Sequence, residues 1–321
     1  MKCLVTGGAG FIGSNLVEAL LAGGSEVTLL DNFSTGLRSN LPEGEGGLSV
    51  IEGDVLDYEL VSSCAAGAEA IFHLAAEVGN VRSLQNPVRD AQVNVVGTIN
   101  VLRATISCGA RNVVYSSSSA IFGEPRYLPI DEEHPLAPES FYAVSKLAAE
   151  KYCLAFARLH DISVACLRYF NVYGRRQGYS EYANVMPIFA ERLLSGRPLT
   201  IYGDGEQTRD FVSVDDVVRA NLLAAGKVLP KGEVFNIGTG VKTTVNALAG
   251  AIQKVAGTTV PCHYEAPRQG EVRDSVADIS RAREILGFEP RTDLEQGVHA
   301  FLSWYRDNRP VTGGSGHGEG E

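Results

Sequence analysis

The chain has 321 residues, of which 45% are hydrophobic and 21% charged, values that fit a folded globular protein rather than a disordered one. Lys and Arg total 28 against 38 Asp and Glu, a net charge of −10, which argues against nucleic acid or an anionic membrane as the partner. The length suits about two domains, or one large domain with an appended lobe, so no disulfide or metal is needed to hold it. Lys2–Thr6 reads as a strand, followed by a helix from about Gly10 to Ala22. Glu26–Leu30, Leu48–Glu52, Ala70–Leu74 and Val113–Ser116 are the next apolar runs, and a long amphipathic stretch from about Asp90 to Ser107 lies between the last two. Near-continuously apolar strands separated by helices predict a doubly wound parallel sheet with helices on both faces and ligands at the carboxyl ends of the strands. Ser163–Tyr169 is a further strand and Val185–Ser195 a helix; Gly203, Gly205, Gly238 and Gly240 sit in turn-like settings. No break in composition marks a linker, so a second, smaller α/β lobe is expected to interleave with the sheet. The tail Gly313–Glu321 has almost no apolar residue to bury and is expected to be disordered.

The opening MKCLVTGGAG has neither the apolar stretch nor the cleavage site of a signal peptide, and no run reaches the ~18 apolar residues of a membrane span. Cys3, Cys64, Cys108, Cys153, Cys166 and Cys262 are scattered, with no CxxC pair. Free thiols in a reducing cytoplasm are the expectation, with no metal site.

Gly7, Gly10 and Gly13 recur at a spacing of three between the first strand and the first helix. Such a loop turns tightly, lets backbone N–H groups approach a pyrophosphate, and aims a helix N-terminus at it. Asp31 ends the second strand, 18 residues beyond Gly13, where a carboxylate can accept the hydroxyls of an adenosine ribose and repel a 2′-phosphate; this favours NAD over NADP. Asp54 ends the third strand and can take the adenine amino group or serve only as a turn residue. Tyr142 and Lys146, four apart, share one helix face. An ammonium beside a phenol favours the phenolate, so Lys146 is expected to lower the Tyr142 pKa and make it a proton acceptor for a sugar hydroxyl. One hydroxyl of the run Ser116–Ser119, at a strand end, is expected to share that proton; the others suit turn and capping roles.

Together, GGAGFIG, HLAAE, NVVGTINVL, SSSSAIFG, YAVSKLAAE, RYFNVYG, GDGEQTRDF and FNIGTG resemble the extended short-chain dehydrogenase/reductases, in particular the nucleotide-sugar epimerase and dehydratase group, over about Met1 to Tyr305. The resemblance implies an NAD-binding Rossmann domain over residues 1–170, a nucleotide-sugar lobe over 171–310, and a flexible tail over 311–321. It assigns Ser118 and Tyr142 to proton transfer, and Lys146 to the same machinery and to the cofactor ribose. Cofactor contacts are implied at Gly7, Gly10, Phe11, Ile12, Gly13, Asp31, Asn32, Asp54, Val55, Ala75 and Lys146. Substrate contacts are implied at Glu77, Asn171, Asn184, Val185, Arg209, Arg268 and Glu271, the two arginines suiting a diphosphate. Tyr202 is placed against the nucleobase, with core packing as the other reading. Ser275 falls where a small residue admits an N-acetyl group on the sugar.

Departures from the family pattern bear on the reaction. 4,6-Dehydratases carry an Asp-Glu pair after the hydroxyl residue, whereas this chain has Ser119 and Ala120. That favours 4-epimerisation of a UDP-hexose or UDP-N-acetylhexosamine. The alternative is a lyase, a 5,6- or 4,6-dehydratase, for which Glu77 or a cysteine near the sugar is available. A non-catalytic NAD sensor would not need the Ser118, Tyr142 and Lys146 set. Phe122 stands for the usual Tyr, and Arg175-Arg176 for Pro-Arg. The resemblance also implies a homodimer paired through the apolar faces of Asp90–Ser107 and Tyr142–Ala157.

Overall fold

The computed structural model describes residues 1–44, 46–178, 184–267 and 272–308. The first half runs β1 (Lys2–Thr6), α1 (Phe11–Ala22), β2 (Glu26–Asp31), β3 (Leu48–Glu52), α2 (Tyr58–Ala65), β4 (Ala70–His73), α3 (Asn80–Gln85), α4 (Pro87–Ala91), α5 (Thr98–Cys108), β5 (Asn112–Ser118), α6 (Phe141–His160) and β6 (Ser163–Tyr169). There follow β7 (Asn171–Tyr173), α7 (Val185–Leu194), β8 (Leu199–Tyr202), β9 (Thr208–Arg209), β10 (Phe211–Ser213), α8 (Val214–Ala225), β11 (Glu233–Ile237), β12 (Thr243–Thr244), α9 (Val245–Ala256), β13 (Cys262–Glu265) and α10 (Leu294–Asp307).

Seven parallel strands form the main sheet in the order β11-β6-β5-β4-β1-β2-β3. The chain winds outward from β1 to β3, returns to β4 on the other side of β1, and winds outward again. The carboxyl ends of β1 and β4 therefore flank the crevice where connections diverge, the place such sheets bind ligands. Every residue of β4 and β6 is buried, as strands covered on both faces require. The edge strand β11 pairs with β6 from Glu233↔Ala165 to Ile237↔Tyr169, and α8 packs on α1, so residues beyond 170 complete this layer. A second core, with Phe189, Leu199, Leu248, Val298 and Phe301, joins α7, β8, α9 and α10.

The stretch expected as one amphipathic helix is interrupted. Gln92–Gly97 forms a wide π-type turn between α4 and α5, where a Cβ on Gly97 would press on the Val55 side chain. Such single turns redirect side chains and recur at functional sites. Here the turn carries Asn94, 1% exposed, toward α6 and the loop after β4.

α6 begins on Ser140, whose side chain accepts from the Ala143 N–H. Its buried stripe is Ala143, Ser145, Lys146, Ala149, Glu150, Cys153 and Ala157, so three polar groups enter an otherwise apolar seam. All six cysteines are free thiols, four of them buried. Residues 309–321, including the tail expected to be disordered, lie outside the described residues.

Candidate active site

A cleft of about 960 Å³ runs across the carboxyl ends of the sheet. At one end the loop after β1 is pressed against the loop after β4. Gly7 has φ +70°, and a Cβ there would stand 2.6 Å from the Ala75 nitrogen; a Cβ on Gly13 would collide with the Gly7 carbonyl. Only glycine keeps this cradle open to a bulky anion, and the N-terminus of α1 supplies N–H groups and partial positive charge. Asp31, 8% exposed, accepts from the Ala9 N–H (2.9 Å) and the Phe33 N–H (2.8 Å), which fixes both oxygens and leaves each a free lone pair toward the cleft. These residues fit the diphosphate and ribose of a dinucleotide.

Asp54 is more occupied than its turn position suggests. Its Oδ2 accepts from Arg89 Nη2 (2.6 Å) and Asn32 Nδ2 (3.0 Å), and its Oδ1 from the Leu56 N–H. Burial works to raise its pKa, but Arg89 and the other donors outweigh it and hold the carboxyl below its ordinary value. Arg89, on the cleft wall 35 residues away, is not legible from spacing.

His73 ties the β4 wall in place. The Thr98 hydroxyl donates to the Asn94 carbonyl (2.6 Å), so it accepts from His73 Nε2–H (2.9 Å). Nδ1 then accepts from the Thr6 hydroxyl (2.7 Å), whose oxygen takes the Ala75 N–H (3.3 Å). Burial first, and the Lys146 charge second, push His73 down to about 3, so the ring is neutral. Asn94 accepts from the Glu77 N–H (2.8 Å) and donates to the Glu77 carbonyl (3.1 Å), pinning that stretch of wall at both ends of one residue.

β5 ends in the serine run, and each hydroxyl is used differently. Ser117 donates to buried Glu150 (2.8 Å), and Ser116 is hydrogen-bonded to Tyr169. Ser118 Oγ accepts from the Ala120 N–H (3.2 Å), capping a short turn, and is hydrogen-bonded to Tyr142. Ser118, Tyr142 and Lys146 meet on the cleft wall. Lys146 is 2% exposed, with its ammonium 4.4 Å from the centre of the Tyr115 ring.

The expected sign of the Tyr142 shift is reversed. Burial pushes the phenol up to about 12; the Ser118 hydrogen bond draws it down, and the charge of Asp90 adds to the rise. Lys146 in turn is pushed down to about 8 by burial. Desolvation at the foot of the cleft outweighs the attraction that spacing alone suggests.

Asn171, Asn184, Arg209 and Ser275 reach the same cleft from the second half, as does Glu77 from the first. Asp210, fully buried, gathers this side: it accepts from the Thr239 N–H and hydroxyl (both 2.7 Å), the Gly240 N–H (2.9 Å) and the Ala277 N–H (3.1 Å). It thereby joins the strand carrying Arg209 to the segment carrying Ser275. Of the other predicted contacts, Phe11, Ile12, Asn32 and Val55 line the cleft. Val185 packs half-buried against the second core, and Tyr202 closes β8 away from the cleft lining. Arg268 and Glu271 lie outside the described residues. Arg176 and Gln177 line the cleft unforeseen; Arg176 adopts φ +67° and sets Nη1 2.6 Å from Glu18 of α1. Among the described residues no cluster of His, Cys, Asp and Glu is placed to hold a metal, and no helix is long and apolar enough to cross a membrane.

Residues 3–238 match the family model described as "NAD dependent epimerase/dehydratase family". A UDP-glucose 4-epimerase of Mycolicibacterium smegmatis is 41% identical over 311 residues, covering 96% of this chain and 99% of its own. The crystal structure of a UDP-glucose 4-epimerase from Thermotoga maritima with UDP-glucose superposes with a TM-score of 0.90 at 41% identity, over 96% of this chain and 99% of that one. A UDP-N-acetylglucosamine 4-epimerase from Methanobrevibacter ruminantium M1, in complex with UDP-N-acetylmuramic acid, gives 0.91 at 34% identity, over 95% and 98%.

Proposed function

The chain belongs to the NAD-dependent epimerase/dehydratase family, and on that premise we propose that it is a UDP-sugar 4-epimerase that inverts C4 of a UDP-hexose or UDP-N-acetylhexosamine. The observation that carries this reading is the meeting of Ser118, Tyr142 and Lys146 at the foot of the cleft whose other end is the glycine cradle. When bound, NAD supplies a hydride acceptor that can return the hydride to the same carbon. The protein's part is to move the proton and hold the sugar. The Tyr142 phenol, hydrogen-bonded to Ser118, exchanges a proton with the C4 hydroxyl, and Lys146 stands one turn along the same helix. Asp31 takes the adenosine ribose, and the cradle takes the cofactor diphosphate. Asn171, Asn184 and Arg209 suit the nucleotide of the substrate, Arg209 as a phosphate partner. Ser275, small and on the cleft wall, leaves room for an acetamido group at C2. Ser119 and Ala120, next to Ser118, supply no acid and base for loss of water, which supports epimerisation over dehydration.

Val88, Val96, Val144, Tyr152 and Leu159 are exposed apolar residues on α4, the wide turn and α6. Pairing of these faces between two copies would bury them, which supports a homodimer; the six free thiols suit a reducing cytoplasm. Incubating purified protein with UDP-glucose and with UDP-N-acetylglucosamine tests the function: the C4 epimers form without change of mass, whereas loss of one water identifies a lyase. Light scattering at micromolar concentration tests the dimer, and a monomeric mass refutes it.

A further inference from the structure

Asp90 is 1% exposed and has no role in the reaction described above. Among the described residues, no Lys, Arg or His stands within ion-pair distance of it. Its Oδ1 accepts from the Asn94 amide (3.1 Å), and that amide also reaches Ser145 Oγ (2.9 Å) and the Glu77 carbonyl (3.1 Å). The Ser145 hydroxyl is shared between the Tyr142 carbonyl (3.0 Å) and Asp90, in the turn of α6 that also holds Lys146. Asp90 and Asn94 are one turn apart, and α4 packs directly on α6.

We propose that Asp90 is a positioning residue for the Tyr142–Lys146 pair: through Asn94 and Ser145 it holds their turn of α6, and its carboxylate is a counter-charge that supports the buried ammonium. The inference rests on the reading of Tyr142 and Lys146 as the proton-handling pair. Cys153, Cys166 and Glu150 also bear on the ammonium, Cys153 first among them, but none of the three bears on the Tyr142 phenol. On α6 and β6, Glu150 is held by Arg168 through two hydrogen bonds (2.8 and 3.0 Å). Cys153 is fully buried, and burial raises the Cys166 thiol well above its ordinary pKa. Tyr115 of β5 is likewise held as a phenol by burial, and His73 of β4 is neutral. Arg89, beside Asp90, turns to Asp54, and Arg82 of α3 lines the cleft. Asp90 is the group whose charge bears on both members of the pair. Its charge raises both Lys146 and Tyr142, while burial raises Asp90 itself and the Ser145 hydrogen bond and Lys146 draw it down.

Asp90→Asn keeps the shape and removes the charge, so the ammonium loses support and the phenolate loses repulsion; both groups deprotonate at lower pH. The full-length protein labelled with [ε-¹³C]lysine gives a readout independent of turnover. Lys146 titrates near pH 8, apart from the exposed lysines, and is assigned by its loss in Lys146→Met. In Asp90→Asn its midpoint falls by about half a pH unit or more, ~3-fold in proton affinity, and the alkaline limb of the epimerisation profile moves with it. Ser145→Ala, which removes one hydrogen bond and keeps the carboxylate, moves the lysine midpoint far less than Asp90→Asn does. Should Asp90→Asn fail to fold, Asp90→Ser gives the same comparison. A Lys146 midpoint unmoved by loss of the carboxylate overturns the proposal. Absence of epimerisation in the wild-type protein defeats the functional reading instead, while the lysine titration still decides this one.

Discussion

Two consecutive turns of α6 bury opposite charges under opposite arrangements. Glu150 is fully buried, yet its carboxylate is matched by the Arg168 fork and by Ser117 Oγ at 2.8 Å. Lys146, one turn earlier and 2% exposed, has no carboxylate within ion-pair distance among the described residues and rests on an aromatic face. The first arrangement satisfies every partner and joins α6 to β5 and β6. The second leaves an ammonium in a setting that opposes its charge, a state that persists in a fold only where something else sustains it. The difference separates what holds the helix from what the helix holds in readiness, and it lies within four residues.

The largest effect expected from breaking this comparison is on turnover. Tyr142→Phe removes the phenol we propose as the proton carrier and is expected to lower kcat by about 10²–10⁴-fold while UDP-sugar binding stays near wild type, measured by steady-state kinetics and calorimetry. A rate above about a tenth of wild type moves the proton carrier elsewhere. On the satisfied turn, Arg168→Met leaves Glu150 buried without its partner; we expect a loss of about 3–5 kcal/mol, seen as a lower denaturation midpoint. A neutral outcome would erase the distinction between the two turns.

Lys146→Met is expected to behave in the opposite way, losing turnover but gaining stability at pH 7 by on the order of 1–3 kcal/mol, because a methionine fills the site without burying a charge. The pH dependence sharpens it. Lys146 sits near 8 in the folded protein against 10.5 when unfolded, so between those values unfolding takes up a proton and stability rises with pH. Below about pH 8 both states are protonated and the burial penalty is complete. Thermal melts between pH 7 and 10 show this rise in the wild type, and it is absent in Lys146→Met. The smallest effect expected is one of selectivity. Ser275→Tyr lowers turnover of UDP-N-acetylglucosamine more than that of UDP-glucose, and equal losses would remove Ser275 from the sugar pocket.

How much of this was legible in the sequence depends on whether a feature is local. Gly7, Gly10 and Gly13, and the pair Tyr142–Lys146, are set by spacings within one turn or loop, and they stand on the cleft as read. β1 and β6 have the bounds expected from their apolar runs. Features that need a distant partner were not legible. Arg89 meets Asp54 across 35 residues, and Arg176 meets Glu18 across far more. Asn94 reaches Glu77 and Ser145 only because the wide turn at 92–97 rotates it inward, which a helical period cannot foresee. The direction of the Tyr142 shift was missed for the same reason: spacing supplies the neighbouring charge, but only the packed fold supplies the desolvation that outweighs it.

In the reaction proposed here, C4 is oxidised and reduced again within one site, with no net change in the sugar beyond its stereochemistry. This reaction is tested most directly with a UDP-sugar carrying deuterium at C4, followed by NMR and mass spectrometry after incubation with the purified protein. A 4-epimerase yields a mixture of C4 epimers of unchanged mass, with the deuterium retained at C4 and no accumulation of NADH. Loss of one water, or epimers that have lost the label to solvent, would contradict it.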